Sequence, residues 1–275
     1  MESDAVIYSD PAAIIHCMGT CERMEIKVED LGREDVSKEE SDFFSYQNLR
    51  SLFILILIIM AIRWSFVSPY HVPTPSMEPE IKVGDRLLAN KLAYNLRIPF
   101  TDYVLFEWAQ VKRGDIIVFK YPKDTSLDYV KRVVGIPGDR LRLVNDVLYI
   151  NGVAQKRVPY NHDRSILSDI TVQKEYKDLY EENLDGKLHW TMNTISQYRG
   201  VDAGNWPAYG EYVVPKDSVF TIGDNRDDSA DGRSWGEIPL EYVKGKALFV
   251  IWSAYTEKEG FFPKFRLNRF FTKLR

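Results

Sequence analysis

Three stretches of this chain concentrate residues able to do covalent chemistry. The first is VPTPSMEPEIKVGD, Val72 to Asp85, in which Pro73, Pro75 and Pro79 restrict the backbone around Ser76 and Met77. Such rigidity would hold a serine hydroxyl at a fixed angle; the plain alternative is a proline-rich linker. The second is DYVKRVVGIPGD, Asp128 to Asp139. As a strand it alternates faces, so Tyr129, Lys131 and Val133 share one side and Val130 and Arg132 the other. A lysine against an apolar face loses hydration, which favours its neutral form. An ordinary lysine, pKa about 10.4, is only about 0.1 % neutral near pH 7.5, so it needs a shifted pKa to serve as a base. The plain alternative is a lysine that snorkels from the strand edge. The third is GDNRDDSADGRSWG, Gly223 to Gly236, which follows the strand-like SVFTI. Ser229, Asp231 and Arg233 in it could form a hydrogen-bonded network beside a reacting site. The competing readings are a solvated turn and a calcium loop. The second fails the EF-hand pattern, because Trp235 stands where the closing glutamate belongs.

A base within reach of a hydroxyl is the general arrangement for covalent catalysis, and a serine-lysine pair is one variant of it. His71, His162 and His189 offer histidine bases instead.

These residues need elements to position them. Beyond Tyr70, runs rich in Val, Ile, Leu, Tyr and Phe are punctuated by Gly, Pro, Asn and Asp. They predict strands at 86–89, 103–108, 115–121, 129–136, 140–144, 147–150, 218–222 and 246–252. Asn151-Gly152 predicts a two-residue hairpin, and Pro137-Gly138 a turn with positive φ at the glycine. No long 3.6-residue period stands out, so the expected architecture is mainly antiparallel β. Residues 155–211 are more polar and read as an irregular inserted subdomain.

Ahead of the strands lies Leu52 to Ile62, eleven apolar residues in a row. Continued to Ser68, the run is long enough for one membrane span, with Arg63 snorkelling and Trp64 at the interface. Residues 1–49 carry 12 acidic and 4 basic side chains against an overall charge of −4, so the rest of the chain is net positive. The expected parts are an acidic, flexible N-terminal tail (1–49), a transmembrane helix (50–69), a catalytic β domain in two pieces (70–154 and 212–257) around the insertion (155–211), and a basic aromatic C-terminal tail (258–275). That tail, KFRLNRFFTKLR, suits an anionic membrane surface, or is an ordinary basic end. With 28 % charged and 45 % hydrophobic residues, wholesale disorder and a multi-span transporter are excluded. Two cysteines exclude a disulfide scaffold. Cys17 and Cys21 beside His16 lack a fourth metal ligand and read as free thiols. No strongly basic surface points to nucleic acid.

PTPSMEP, RGDIIVFKYP (Arg113 to Pro122), DYVKRVVGIPGD and GDNRDDSADGRSWG, in this order behind a candidate span, closely resemble the motifs of bacterial type I signal peptidases. The resemblance covers about residues 50–255, apart from the insertion. It implies a mainly β, antiparallel catalytic domain of signal-peptidase type behind one N-terminal transmembrane helix. The site would face the outer or periplasmic side of the cytoplasmic membrane and remove N-terminal signal peptides from exported preproteins. By motif, Ser76 takes the nucleophile position and Lys131 that of the general base. Ser76, through its backbone N–H, and Thr74 take the oxyanion positions. Ser229 takes the place of a hydroxyl that orients the lysine, and Asp231 with Arg233 that of a supporting ion pair. Val72, Met77, Asp128, Tyr129 and Val130 are the candidate substrate-binding residues. Neither metal nor cofactor is implied. The partners implied are preproteins, membrane lipid and the protein export machinery. Thr74 stands where the family often has serine, Pro75 where it has glycine, and Gly232 where serine is common. An inactive membrane-anchored β-module that binds secreted proteins and a self-cleaving serine-lysine peptidase are the alternatives. The latter normally carries a DNA-binding domain, of which there is no helix-turn-helix signal.

Overall fold

The computed structural model describes residues 46–98, 101, 103–171, 174–195, 206–255 and 263–275, so nearly all of the acidic tail, with His16, Cys17 and Cys21, lies outside them. The chain divides into two compact units, Met1–Leu55 and Ile56–Arg275. Helix α1 (Tyr46–Phe66) crosses that division. It starts and ends earlier than the expected 50–69. Pro69 has no N–H to donate and pushes Ser68 towards extended backbone, so the chain leaves the helix before it. Both residues lie in an edge strand, where proline is tolerated. Among the described residues no helix is long and apolar enough to cross a membrane, and the side chains of 61–65 are not among them.

The strands, in chain order, are β1 (Val67–His71), β2 (Asp85–Asn90), β3 (Asn95–Arg97), β4 (Val104–Glu107), β5 (Ile116–Tyr121), β6 (Asp124–Gly135), β7 (Arg140–Val144), β8 (Val147–Ile150), β9 (Val153–Ala154), β10 (Arg157–Pro159), β11 (Lys177–Leu184), β12 (Lys187–Thr194), β13 (Tyr212–Val213), β14 (Ser218–Ile222), β15 (Ile238–Pro239), β16 (Val243–Tyr255), β17 (Lys264–Phe265) and β18 (Thr272–Lys273). A short helix, α2 (Gly232–Trp235), follows β14. The principal sheet runs β1-β2-β16-β5-β6-β14-β15, with β17 and β18 also on β16. Smaller sheets are β13-β7-β8-β9, β10-β11-β12 and the β3-β4 hairpin. The architecture is mainly β and its ladders are antiparallel.

Local sequence explains the tight connections. Asn145-Asp146 (φ 48°, 68°), Asn151-Gly152 (52°, 79°) and Asp185-Gly186 (51°, 83°) each put two residues in the left-handed region, the pattern of type I′ hairpins. The last of these joins β11 to β12. The stretch expected to be irregular therefore contains two eight-residue strands.

The C-terminal tail packs in part onto the β unit. Arg269 pairs with Asp85, Nη2 to Oδ2 at 2.5 Å, and Arg266 donates to the Ser253 hydroxyl and the Val83 carbonyl. Leu274 joins the cluster of Val72, Met77, Ile81, Leu87 and Val250. A buried guanidinium needs acceptors, and the Asp85 carboxylate, the Ser253 hydroxyl and backbone carbonyls supply most of them, while Arg266 Nε stays without a partner. Arg266 and Arg269 are thus directed into the fold, while Lys264, Lys273 and Arg275 stay exposed.

Candidate active site

Ser76 lies in a 3-10 helix, Pro75–Met77. Pro75 presets φ for the first helical position. The turn closes with Glu78 N–H on the Pro75 carbonyl at 3.0 Å, and Ile81 N–H follows on the Met77 carbonyl at 2.9 Å. Met77 and Ile81, both fully buried, anchor the turn, so Ser76 is held at 7 % exposure.

Lys131 comes from the middle of β6, 3 % exposed. Its Nζ is 2.6 Å from Ser76 Oγ and donates to the Val130 carbonyl at 3.0 Å. It also stands 5.6 Å from the ring centre of Tyr129. Burial drives the Lys131 pKa down to about 8; the carboxylates of Asp231 and Asp224 oppose that shift and Arg233 adds to it. A separation of 2.6 Å serves proton transfer in either direction. Thr74 Oγ1 is 3.4 Å from Ser76 Oγ, on the exposed side.

The loop after β14 supports this pair. Arg233 grips Asp231 through two bonds of 2.8 Å, Nε to Oδ1 and Nη2 to Oδ2. Asp231 accepts the Gly223 N–H at 3.0 Å and caps α2. Burial pushes its carboxyl up, and the hydrogen bonds and charge of Arg233 outweigh that, so it ionises below its ordinary range. Ser229 is placed differently from expectation. Its hydroxyl bonds the Ala230 carbonyl at 3.4 Å and does not bond Lys131, and its nearness helps to keep the Asp231 carboxyl ionised.

The expected substrate residues separate into two kinds. Val72 and Met77 are 2 % and 0 % exposed, so they shape a surface only from beneath. The Val72 N–H and carbonyl are bonded to Asp85 and Gly84. Asp128, Tyr129 and Val130 lie along β6 where its outer edge is open: β5 covers one side from Asp124, whereas β14 pairs only from Arg132 onwards. Tyr129 stacks on Tyr121 with ring centres 4.6 Å apart, and Asp128 pairs with Lys244 at 2.8 Å.

None of the three histidines is bonded to Ser76. His189 is 1 % exposed with its pKa pushed well down by burial and nearby guanidinium groups, His71 bonds at the β1–β2 edge, and His162 packs on Tyr160. Among the described residues no cluster could hold a metal ion.

Several contributing residues escaped the sequence reading. Arg132, 1 % exposed, is bidentate to Asp224 at 2.8 Å and 2.8 Å and ties β6 to the supporting loop. Arg113 is bidentate to Asp139 at 2.7 Å and 2.7 Å, joining the β5 approach to the β6–β7 turn. In both cases opposite charges inside separate motifs were the available signal. Asn225 donates its N–H to the Ser76 carbonyl and its side-chain amide to the Pro75 carbonyl, each at 3.2 Å. Its partner Lys177 lies in a polar run that offered no such signal.

Residues 45–252 match the family described as signal peptidase, peptidase S26. A signal peptidase I of Pseudomonas fluorescens is 35 % identical over 228 residues, 78 % of this chain and 75 % of that protein. One from Pseudomonas aeruginosa is 34 % identical over 221 residues, 76 % of this chain and 72 % of that protein. A crystal structure of a signal peptidase I from Enterococcus faecalis V583 is 25 % identical and covers 50 % of this chain and 97 % of its own, with a TM-score of 0.29.

Proposed function

The chain belongs to the signal peptidase family, peptidase S26, and from that premise we propose that Ser76 and Lys131 form the catalytic dyad of this signal-peptide-removing serine peptidase. The observation that carries the assignment is the 2.6 Å contact between Lys131 Nζ and Ser76 Oγ in a buried setting. Neutral Lys131 takes the hydroxyl proton as Ser76 Oγ attacks the scissile carbonyl. The backbone N–H of Ser76 and the hydroxyl of Thr74 hold the oxyanion, each such donor worth about 2.7–4 kcal/mol of barrier. The protonated lysine hands its proton to the leaving amine. Water, deprotonated by the now neutral Lys131, attacks the Ser76 ester carbonyl, and Lys131 returns the proton to Ser76 Oγ as the acyl–oxygen bond breaks. Asp231 and Arg233 hold the loop against which the lysine packs, and Ser229 acts through Asp231.

The substrate binds as an added strand on the open edge of β6 at Asp128–Val130, opposite the outer edge of β1. Alternate side chains of such a strand face the enzyme, which fits small residues at the first and third positions before the cut. Val72, Met77, Tyr129 and Val130 shape those subsites.

Helix α1 falls short of an apolar span among the described residues, but completed by the apolar run 52–62 of the sequence it is the membrane anchor, with the β unit on the outer face of the cytoplasmic membrane and the export machinery as the source of preproteins. Its 21 residues rise about 31 Å, close to a hydrocarbon core of about 30 Å. Leu52 through Met60 are each roughly half exposed. Residues 155–211 are an insertion in the catalytic domain.

Cleavage of a labelled preprotein in detergent by wild type, Ser76→Ala and Lys131→Ala, with and without chelator, tests the dyad. Two inert, folded variants and a chelator-insensitive wild type are expected. Wild-type cleavage by Lys131→Ala would assign the base elsewhere.

A further inference from the structure

The β10-β11-β12 sheet does more than decorate the catalytic unit: it reaches the carbonyl groups that frame the nucleophile. The Lys177 side chain, at the start of β11, is 4 % exposed. Its ammonium donates to Thr194 Oγ1 at 2.9 Å, to Asn225 Oδ1 at 3.3 Å and to the Asp228 carboxylate. Asn225 is fully buried. With its amide oxygen turned to Lys177, its NH₂ must point the other way, where it meets the Pro75 carbonyl at 3.2 Å. Its backbone N–H holds the Ser76 carbonyl at 3.2 Å. The same loop is stitched to β12, Met192 N–H on the Asp224 carbonyl and Arg226 N–H on the Met192 carbonyl, both at 2.9 Å.

We propose that Lys177, acting through the side-chain amide of Asn225, is a positioning residue that fixes the Pro75–Ser76 turn and so aims the Ser76 hydroxyl. The inference rests on Ser76 being the nucleophile. An amide can sit either way round, and its two ends differ only in hydrogen bonding. The ammonium removes that freedom, because only an oxygen can face it. A flipped Asn225 would set oxygen against the Pro75 carbonyl and break one of the two bonds by which Asn225 holds the turn. Displacements of about 1 Å at a reacting group are enough to cost on the order of 100-fold in rate.

The test is steady-state cleavage of preprotein by the full chain in detergent, with Lys177→Met, Asn225→Asp and Ser76→Ala beside wild type. Lys177→Met is expected to lower kcat by about 10- to 100-fold with KM within about twofold, and to leave the apparent pKa of the activity in place, since the surroundings of Lys131 are untouched. A merely structural lysine would lower the folded fraction and leave kcat per folded enzyme unchanged, which overturns the proposal. Should Lys177→Met lose its fold, Asn225→Asp decides between the same results. It keeps an acceptor for the ammonium and deletes the donor to Pro75, so it must show the same fall in kcat. Cleavage by Ser76→Ala would overturn the dyad itself. An inert Ser76→Ala beside a fully active Lys177→Met would overturn only the role of Lys177.

Discussion

A lysine ammonium at 3 % exposure costs the folded state free energy whenever it is charged. The folded pKa of Lys131, about 8, lies below its ordinary value of 10.5. Between those two values the unfolded chain binds more protons, so stability rises with pH across that window. Below pH 8 the full penalty applies, about 3 kcal/mol at 1.36 kcal/mol per pKa unit. Lys131→Met is therefore expected to resist denaturant better than wild type at pH 6–7, with the difference shrinking as the pH rises from 8 to 10.5. A variant less stable than wild type at pH 6 would mean that the site tolerates the charge. At the other end of the dyad, Thr74→Val keeps the shape and deletes the hydroxyl 3.4 Å from Ser76 Oγ. Its kcat is expected to fall on the order of 100-fold with little change in KM; an unchanged kcat would remove Thr74 from the oxyanion site. Strand alternation left Lys131 open to burial beside Tyr129 and Val133 or to snorkelling from the edge, and the motif resemblance singled it out; the structure buries it. The placing of the Ser229 hydroxyl was not legible, because its choice between the amine and the Ala230 carbonyl depends on rotamers that no local pattern encodes.

At the scale of elements, the site depends on how β6 is fastened to the loop after β14. Arg132 and Asp224 make that joint with both side chains 1 % exposed. Arg132→Met strands the Asp224 carboxylate, and a loss of about 3–5 kcal/mol in denaturant unfolding is expected. A loss under about 1 kcal/mol would show that the carboxylate finds other donors. Gly223 makes a second demand: a Cβ there would stand 2.2 Å from Ser229 Oγ and 2.4 Å from the Ser76 carbonyl oxygen. Gly223→Ala must shift the nucleophile turn, so its kcat is expected to drop on the order of 100-fold. The strands at 140–144, 147–150 and 218–222 coincide with the sequence reading, because β-branched runs and an Asn-Gly turn bound them tightly. The hairpin of β11 and β12 was hidden by polar residues. Asp185-Gly186 was the local signal, but the strands bury Glu182, His189, Thr191 and Asn193 beside Leu179, Leu184, Trp190 and Met192, so no clean apolar alternation marks them. Their polar groups meet partners distant in sequence, such as Arg226 and Asp227, and that complementarity exists only after folding.

The whole molecule combines a helix of 21 residues with a β unit whose ionic interior extends to its C-terminal end. The Arg275 carbonyl accepts from Arg132 at 2.7 Å, and Arg269 reaches Asp85. The packing of Arg266 and Arg269 was not legible in the sequence, because the acceptors for their guanidinium groups are scattered from Glu80 to Ser253. If α1 anchors the enzyme, the full chain stays with membranes after an alkaline carbonate wash; release into the supernatant would contradict the anchor. The most direct test of the neutral-lysine dyad is the pH dependence of kcat/KM for preprotein cleavage, which reports ionisations of the free enzyme. The dyad predicts a rise of about tenfold per pH unit below a midpoint near 8 and a plateau above it. A profile flat through pH 8, or one governed by a group near the ordinary histidine value, would contradict Lys131 as the base.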